Sequence, residues 1–367
     1  MGKNIIEACV PEVVKCVHCG KCRAICPTLD IMGWDNYGSR GRMILAGEII
    51  RNGFEPNQTA LNSIFSCTTC KHCSTVCPTK AKVPEVMEMM RAILVNQGRY
   101  MDVHKTLHER VQKLGNPYDE HKDRLWWIPE FKEPEEAEVM FFVGCTPTYR
   151  TVEIAKSVVK ILNALEIPWT FVRDQKCCSS PLIRTGWGAI TAEYNLEKMV
   201  ETAEKTGADT VITSCAGCYK TIKQDYPANE MDIKVMHISQ YLADRVKKGE
   251  FQPERNVSMK VTFHDPCHLG RHAGEYNAPR DVIKALGAEL VEMEHNKQSS
   301  WCCGAGGGVR VAFPDLTKKI ATKRVNEAKE TGAELILSAC PFCVYNLREN
   351  SEDIPVKDLV EFVAEIL

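Results

Sequence analysis

VITSCAGCYKTI, residues 211–222, returns as LILSACPFCVYNL, residues 335–347. In each stretch an apolar, strand-forming run ends on the first cysteine of a C-x2-C pair, Cys215 and Cys218 in one and Cys340 and Cys343 in the other. Upstream, 36 residues separate each pair from two adjacent cysteines, Cys177–Cys178 and Cys302–Cys303. A further 31 or 34 residues separate those from Cys145 or Cys267. Downstream, VMHISQYLADRV (235–246) aligns with PVKDLVEFVAEI (355–366). Matching apolar positions around matching cysteines indicate two copies of one domain.

Within each copy another apolar run ends on the first cysteine, VMFFVGC at 139–145 and VTFHDPC at 261–267. The segments 151–166, 190–207 and 315–332 carry the apolar period of amphipathic helices. Strands alternating with helices predict a parallel α/β sheet in each copy, with the cysteines on loops at the carboxyl ends of the strands. Asp265 and Pro266 read as a helix start.

The bulk composition excludes more than it selects. A formal net charge of -2 gives no reason to expect nucleic acid as a partner. The N-terminus lacks a secretory pattern, and no window approaches the ~20 apolar residues of a membrane span. These features predict a cytoplasmic protein, peripheral on the inner membrane face only through a partner. The abundance of cysteine, 19 residues, then points to metal sites rather than a disulfide framework.

Ahead of the duplicated region stand CVHCGKCRAICP (16–27) and CTTCKHCSTVCP (67–78), each a C-x2-C-x2-C-x3-C-P run. The first three thiolates of such a run suit one corner of a cubane, and the fourth, before proline, serves the other cluster. The spacing assigns Cys16, Cys19, Cys22 and Cys77 to one [4Fe-4S] cluster, and Cys67, Cys70, Cys73 and Cys26 to another. Structural zinc uses C-x2-C knuckles or Cys/His mixtures instead. Cys9 lies outside every repeated spacing and is expected not to be a ligand.

Five cysteines per copy are one more than a cubane needs. Spacing alone leaves open an opened or edge-sharing iron–sulfur cluster, a cubane with a spare cysteine, and a redox-active vicinal pair.

With these motifs assembled, the chain resembles the family containing the catalytic subunit of heterodisulfide reductase. SRGRMILAGEI (39–49) and FHDPCHLGRH (263–272) add to the likeness, which covers essentially the whole chain. The resemblance implies an α/β protein with an N-terminal α-helical ferredoxin module, residues 1–134, followed by two repeated Rossmann-like CCG domains, 135–254 and 255–367. It also implies two cubane clusters and two noncubane [4Fe-4S] clusters, the latter held by Cys145, Cys177, Cys178, Cys215 and Cys218 and by Cys267, Cys302, Cys303, Cys340 and Cys343. The noncubane pair would cleave a small-molecule disulfide, most concretely that of coenzyme M and coenzyme B. The implied partner is a b-type cytochrome membrane subunit or a flavoprotein. Relatives associated with lactate, glycolate or glycerol-3-phosphate oxidation imply the alternative of an electron-transfer subunit passing electrons to a quinone or membrane cytochrome. In one departure, Ser179 and Ser180 follow the first vicinal pair where Gly304 follows the second, which puts the first site's geometry in question.

Reducing a disulfide also needs protons. His264, His268 and His272 titrate near neutrality, and His268, beside Cys267, is the candidate donor. Arg271 and Arg310 are candidates to attract an anionic substrate, although solvated surface accounts for both. GAGGGVR (304–310) lacks the third glycine of a dinucleotide loop and follows no strand, so any flavin is expected on another subunit. Trp126 and Trp127, in RLWWIPEF (124–131), are expected to pack between modules.

Overall fold

The computed structural model describes residues 2–227, 233–251, 253 and 257–367, the first three by backbone alone. The expected boundary between the two copies, at 254/255, lies outside these residues. The chain forms two compact units. A helical unit comprises Met1–Glu109, Pro181–Gly188 and Lys297–Arg324; a sheet unit comprises Arg110–Ser180, Ala189–Asn296 and Val325–Leu367.

In the helical unit, helices Gly2–Val14, Ser39–Asn52, Gln58–Phe65 and Val83–Asn96 surround a core that includes Cys9, Val13, Met43, Ile64, Phe65, Met87, Met90 and Leu94. Local chemistry sets the helix starts: the Asn57 side chain accepts from Ala60 N–H at 3.0 Å, and Pro84 stands in the first turn of Val83–Asn96. The Gly306–Gly308 loop packs onto this core. A Cβ on Gly306 would lie 2.6 Å from Thr68 O, and one on Gly307, at φ 65°, would run into Cys67 O. The glycines after the second vicinal pair thus let two backbones meet.

Among its described residues the sheet unit holds eight strands: β1 (Val139–Phe141), β2 (Trp169–Phe171), β3 (Thr210–Thr213), β4 (Lys234–His237), β5 (Lys260–His264), β6 (Glu289–Leu290), β7 (Leu335–Ser338) and β8 (Val356–Asp358). They form two parallel sheets of identical order, β2-β1-β3-β4 and β6-β5-β7-β8. The expected helices occur as Val152–Ala164, Ala192–Thr206 and Pro314–Lys329, the second ended by Gly207 in the left-handed region. Helix Val152–Ala164 of the first copy packs on Leu359–Ile366 of the second.

Four expectations need correction. Asp265 and Pro266 start no helix. The hydrogen bonds after them mix spans of three, four, five and six residues, and Asp265 is spent on a bidentate pair with Arg280 at 2.8 and 3.0 Å. The downstream alignment slips by one. The sheets pair Thr213 with His237 and Ser338 with Asp358, so His237 corresponds to Asp358 rather than Lys357. Both residues cap the helix that follows. Trp127 packs on the first sheet, meeting Phe171 edge-on at 5.8 Å, whereas Trp126 is exposed and its Nε1 donates to Thr148 O, in the helix Cys145–Tyr149, at 3.1 Å. Arg271 is buried rather than solvated. No described helix is long and apolar enough to cross a membrane.

Candidate metal centres

The two tetracysteine runs interleave inside the helical unit. Cys16, Cys19 and Cys22 line one small cavity with Cys77 of the other run, and Cys73 borders it as well. Burial pushes the Cys16 thiol up, and nearby Cys77 and Cys19 push it further. Cys26 keeps company with the second run: burial holds Cys73 well above the usual thiol range, and Cys70, Cys67 and Cys26 add to the effect. Thiols such as those of Cys16 and Cys73, held up by burial beside other thiols, fit a cationic iron core that would take them as thiolates.

Both runs continue as C-P-T. Cys26 Sγ lies 3.3 Å from Thr28 Oγ1, and Cys77 Sγ lies 3.4 Å from Thr79 Oγ1. The two contacts differ in kind, because Thr28 donates its hydroxyl to Tyr37 O at 2.7 Å and accepts from Arg42 Nη1 at 2.9 Å. Cys9 sits apart in the apolar core, its thiol pushed up to about 12, chiefly by burial.

In the sheet unit the whole first five-cysteine set converges. Cys178 is held well below the usual thiol range because Cys177 and Cys218 donate to it, and Cys145 hydrogen-bonds Cys177. These thiols come from the carboxyl ends of β1 and β3 and from the loop after β2, where a parallel sheet gathers its ligands. The loop keeps its turn despite the serine. Ser179 has φ 66° where Gly304 has 89°, and its hydroxyl meets Thr191 Oγ1 at 2.6 Å and accepts from Thr191 N–H at 3.2 Å.

Four contributors carried no sequence signal. Arg124 points Nη1 and Nη2 at Cys145 Sγ, 3.5 and 3.6 Å away. The Tyr118 hydroxyl meets Thr146 Oγ1 at 2.9 Å, and burial holds it above the usual phenol range. Asn195 donates to Cys177 O at 3.1 Å and to the Tyr226 hydroxyl at 2.9 Å.

Of the second set, Cys267, Cys340 and Cys343 belong to the sheet unit, whereas Cys302 and Cys303 belong to the helical unit. Cys340 is held well below the usual thiol range by donation from Cys215 and then Cys343. The Cys215–Cys340 contact joins the C-x2-C motifs of the two copies. His268 Nδ1 lies 3.3 Å from Cys267 Sγ, and its ring stacks on His272 at 4.5 Å. His264 is buried at the end of β5. Arg310 is the second residue of the short helix Val309–Ala312.

The profile of the cysteine-rich domain family, CCG, matches residues 139–223 and 261–348, and that of a 4Fe-4S dicluster domain matches 12–81. The D-type polypeptide of the dihydromethanophenazine:CoB–CoM heterodisulfide reductase of Methanosarcina barkeri is 35% identical, over 100% of this chain and 96% of that protein. The B-type polypeptide of the fumarate reductase (CoM/CoB) of Methanothermobacter marburgensis is 30% identical, over 95% of this chain and 71% of its own length. A solved structure of a hypothetical protein from Helicobacter pylori shares the fold at 10% identity, with a TM-score of 0.57 over 90% of this chain and 67% of that one.

Proposed function

Since the chain belongs to the family of D-type heterodisulfide reductase polypeptides, we propose that this iron–sulfur oxidoreductase component reduces a low-molecular-mass disulfide, most concretely that of coenzyme M and coenzyme B, to two thiols. The balance is one disulfide, two electrons and two protons for two thiols. The electrons come from a partner protein, a b-type cytochrome or a flavoprotein, and a membrane partner would hold the complex at the membrane. Iron–sulfur clusters supply one-electron storage and a thiophilic metal surface. Two cubanes would be held by Cys16, Cys19, Cys22 and Cys77 and by Cys26, Cys67, Cys70 and Cys73. Two noncubane clusters would be held by Cys145, Cys177, Cys178, Cys215 and Cys218 and by Cys267, Cys302, Cys303, Cys340 and Cys343.

The observation that carries this reading is the contact between Cys215 and Cys340. It sets the carboxyl ends of β3 and β7 side by side, so that a disulfide can present one sulfur to each copy. His268, with Nδ1 3.3 Å from Cys267 Sγ, is the proposed proton donor to a departing thiolate. Arg124 keeps a permanent positive charge against Cys145.

The test is disulfide reduction by the anaerobic chain with a chemical electron donor, in the wild type and in Cys303→Ala. Turnover in the wild type that vanishes in the variant, while the two ferredoxin-type clusters still take up electrons, supports the enzyme. No turnover with any disulfide, alongside rapid oxidation by a quinone analogue, makes the chain an electron-transfer component instead.

A further inference from the structure

The two proposed cubane sites lie in unlike electrostatic surroundings. At the site of Cys16, Cys19, Cys22 and Cys77, hereafter the outer site, Cys19 is exposed. The neighbouring cations there reach solvent and share one carboxylate: Arg40 donates twice to Asp35, at 3.1 and 2.9 Å, and Arg23 pairs with the same residue at 2.8 Å. Water and Asp35 together screen what charge remains.

At the inner site, that of Cys26, Cys67, Cys70 and Cys73, two arginines are buried. Arg42 is 1% exposed and Arg91 0%. Arg42 donates to Ser63 O at 2.8 Å, Thr28 Oγ1 at 2.9 Å and Ser66 Oγ at 3.0 Å, and approaches Cys26 Sγ at 3.9 Å. Arg91 donates to the carbonyls of Ile64, Cys67, Arg184 and Gly307. Among the described residues neither guanidinium hydrogen-bonds a carboxylate. Glu88, whose charge reaches Arg91, is bound by Arg184 at 2.7 Å.

Burying a cation without an anion costs several kcal/mol. A helix core that carries two such cations beside four cysteines is built around a negative charge, and a cluster held by four thiolates is one. Reduction adds an electron, so a fixed positive charge in a low-dielectric setting favours the reduced state.

We propose that Arg42, seconded by Arg91, is the counter-charge that raises the reduction potential of the inner cluster above that of the outer one. Electrons arriving at the exposed cluster then collect at the buried one, whose Cys67–Thr68 backbone carries the loop of Cys302 and Cys303. Arg42 is a positioning residue, acting on the electron through charge alone. The proposal rests on the crossed ligand sets above, and its test separates the two.

The experiment is an anaerobic redox titration of the full-length protein, each cubane followed by the magnetic resonance signal of its reduced form. Cys19→Ser and Cys70→Ser assign the signals, and Cys26→Ser should perturb the same cluster as Cys70→Ser; if it perturbs the Cys19 cluster instead, the crossed ligand sets are wrong, whatever Arg42 does. In Arg42→Gln the ratio of reduced to oxidised inner cluster at a fixed potential falls at least tenfold, a shift of ~59 mV for one electron. The outer cluster is unchanged, and Arg42→Lys restores most of the ratio. Ser66→Asp, which sets a carboxylate against the same guanidinium and leaves it in place, reproduces the fall. An inner cluster that titrates as in the wild type in Arg42→Gln, or in Ser66→Asp should Arg42→Gln lose that cluster, overturns the proposal.

Discussion

Ser179 and Gly304 occupy the same turn in the two copies, yet they are not exchangeable. Both have positive φ, which costs a non-glycine residue ~1 kcal/mol or more, and Ser179 offsets that cost through Thr191. At Gly304 a Cβ would lie 2.9 Å from Thr317 O and 3.0 Å from Ile320 Cβ. Ser179→Gly should therefore change stability by less than ~1 kcal/mol, because relieved strain and lost hydrogen bonds nearly cancel. Gly304→Ser should destabilise by ~2 kcal/mol or more and lower the iron content. Paired denaturant melts and iron assays of the two variants check the asymmetry. Cys9 makes the opposite case: a thiol pushed up to about 12 inside an apolar core packs as a small hydrophobe. Cys9→Ser should keep the full iron complement and lose ~1–2 kcal/mol by burying a hydroxyl. A variant short by one cluster's iron would make Cys9 a ligand.

At the scale of elements, the caps of the two terminal helices show what a sequence hides. His237 caps Ile238–Lys248 as Asp358 caps Leu359–Ile366. His237 Nε2 donates to Ser214 O at 3.1 Å, and Nδ1 accepts from Ser239 N–H at 3.2 Å. Burial, only partly opposed by Ser214, Cys340 and Glu275, lowers its pKa to about 4. The unfolded chain takes up this proton near pH 6.5 and the folded chain only near 4, so stability is full above the first value and falls as pH drops toward the second. The loss at full extent is on the order of 3 kcal/mol. Urea melts of wild type and His237→Asn from pH ~7.5 to ~4 should show a wild-type slope that the variant lacks. Gly307→Ala tests the other close approach. With φ at 65° and its Cβ driven into Cys67 O, it should cost ~3 kcal/mol and disturb the spectrum of the cluster at Cys67, leaving the outer cluster intact. Cysteine spacing and apolar runs made the strands and candidate ligands legible, because each is a pattern along a few residues. The capping pair escaped that reading, since histidine and aspartate share a role but no side-chain character. Arg42, Arg91 and Arg124 escaped it for a different reason: arginine is solvated by default, and only long-range packing reveals one that is not.

At the scale of the molecule, four clusters of four irons predict about 16 irons per chain. Anaerobic iron and sulfide analysis that returns about 8 would leave the duplicated domains without clusters. The linear order of motifs does not map onto the compact units, since segments 181–188 and 297–324 pack with the N-terminal helices. A fragment of residues 1–134 should thus fold poorly. It lacks Arg184 O and Gly307 O, two of the acceptors of a buried guanidinium, and Gly308 O, which accepts from His104 Nε2 at 2.9 Å. Thermal melts of the fragment against the whole chain check this, and equal midpoints would show that the later segments contribute nothing.

The path of Arg91 to Gly307 also bears on descent. A ferredoxin module that borrows two stretches from the domains behind it is poor material for shuffling. Recombination that traded this N-terminal module for a foreign one would strand a buried charge, whereas one that carried the loops along would not. In lineages of this chain, substitutions at the Gly306–Gly308 loop and at the Cys67–Thr68 turn should therefore be inherited as a pair.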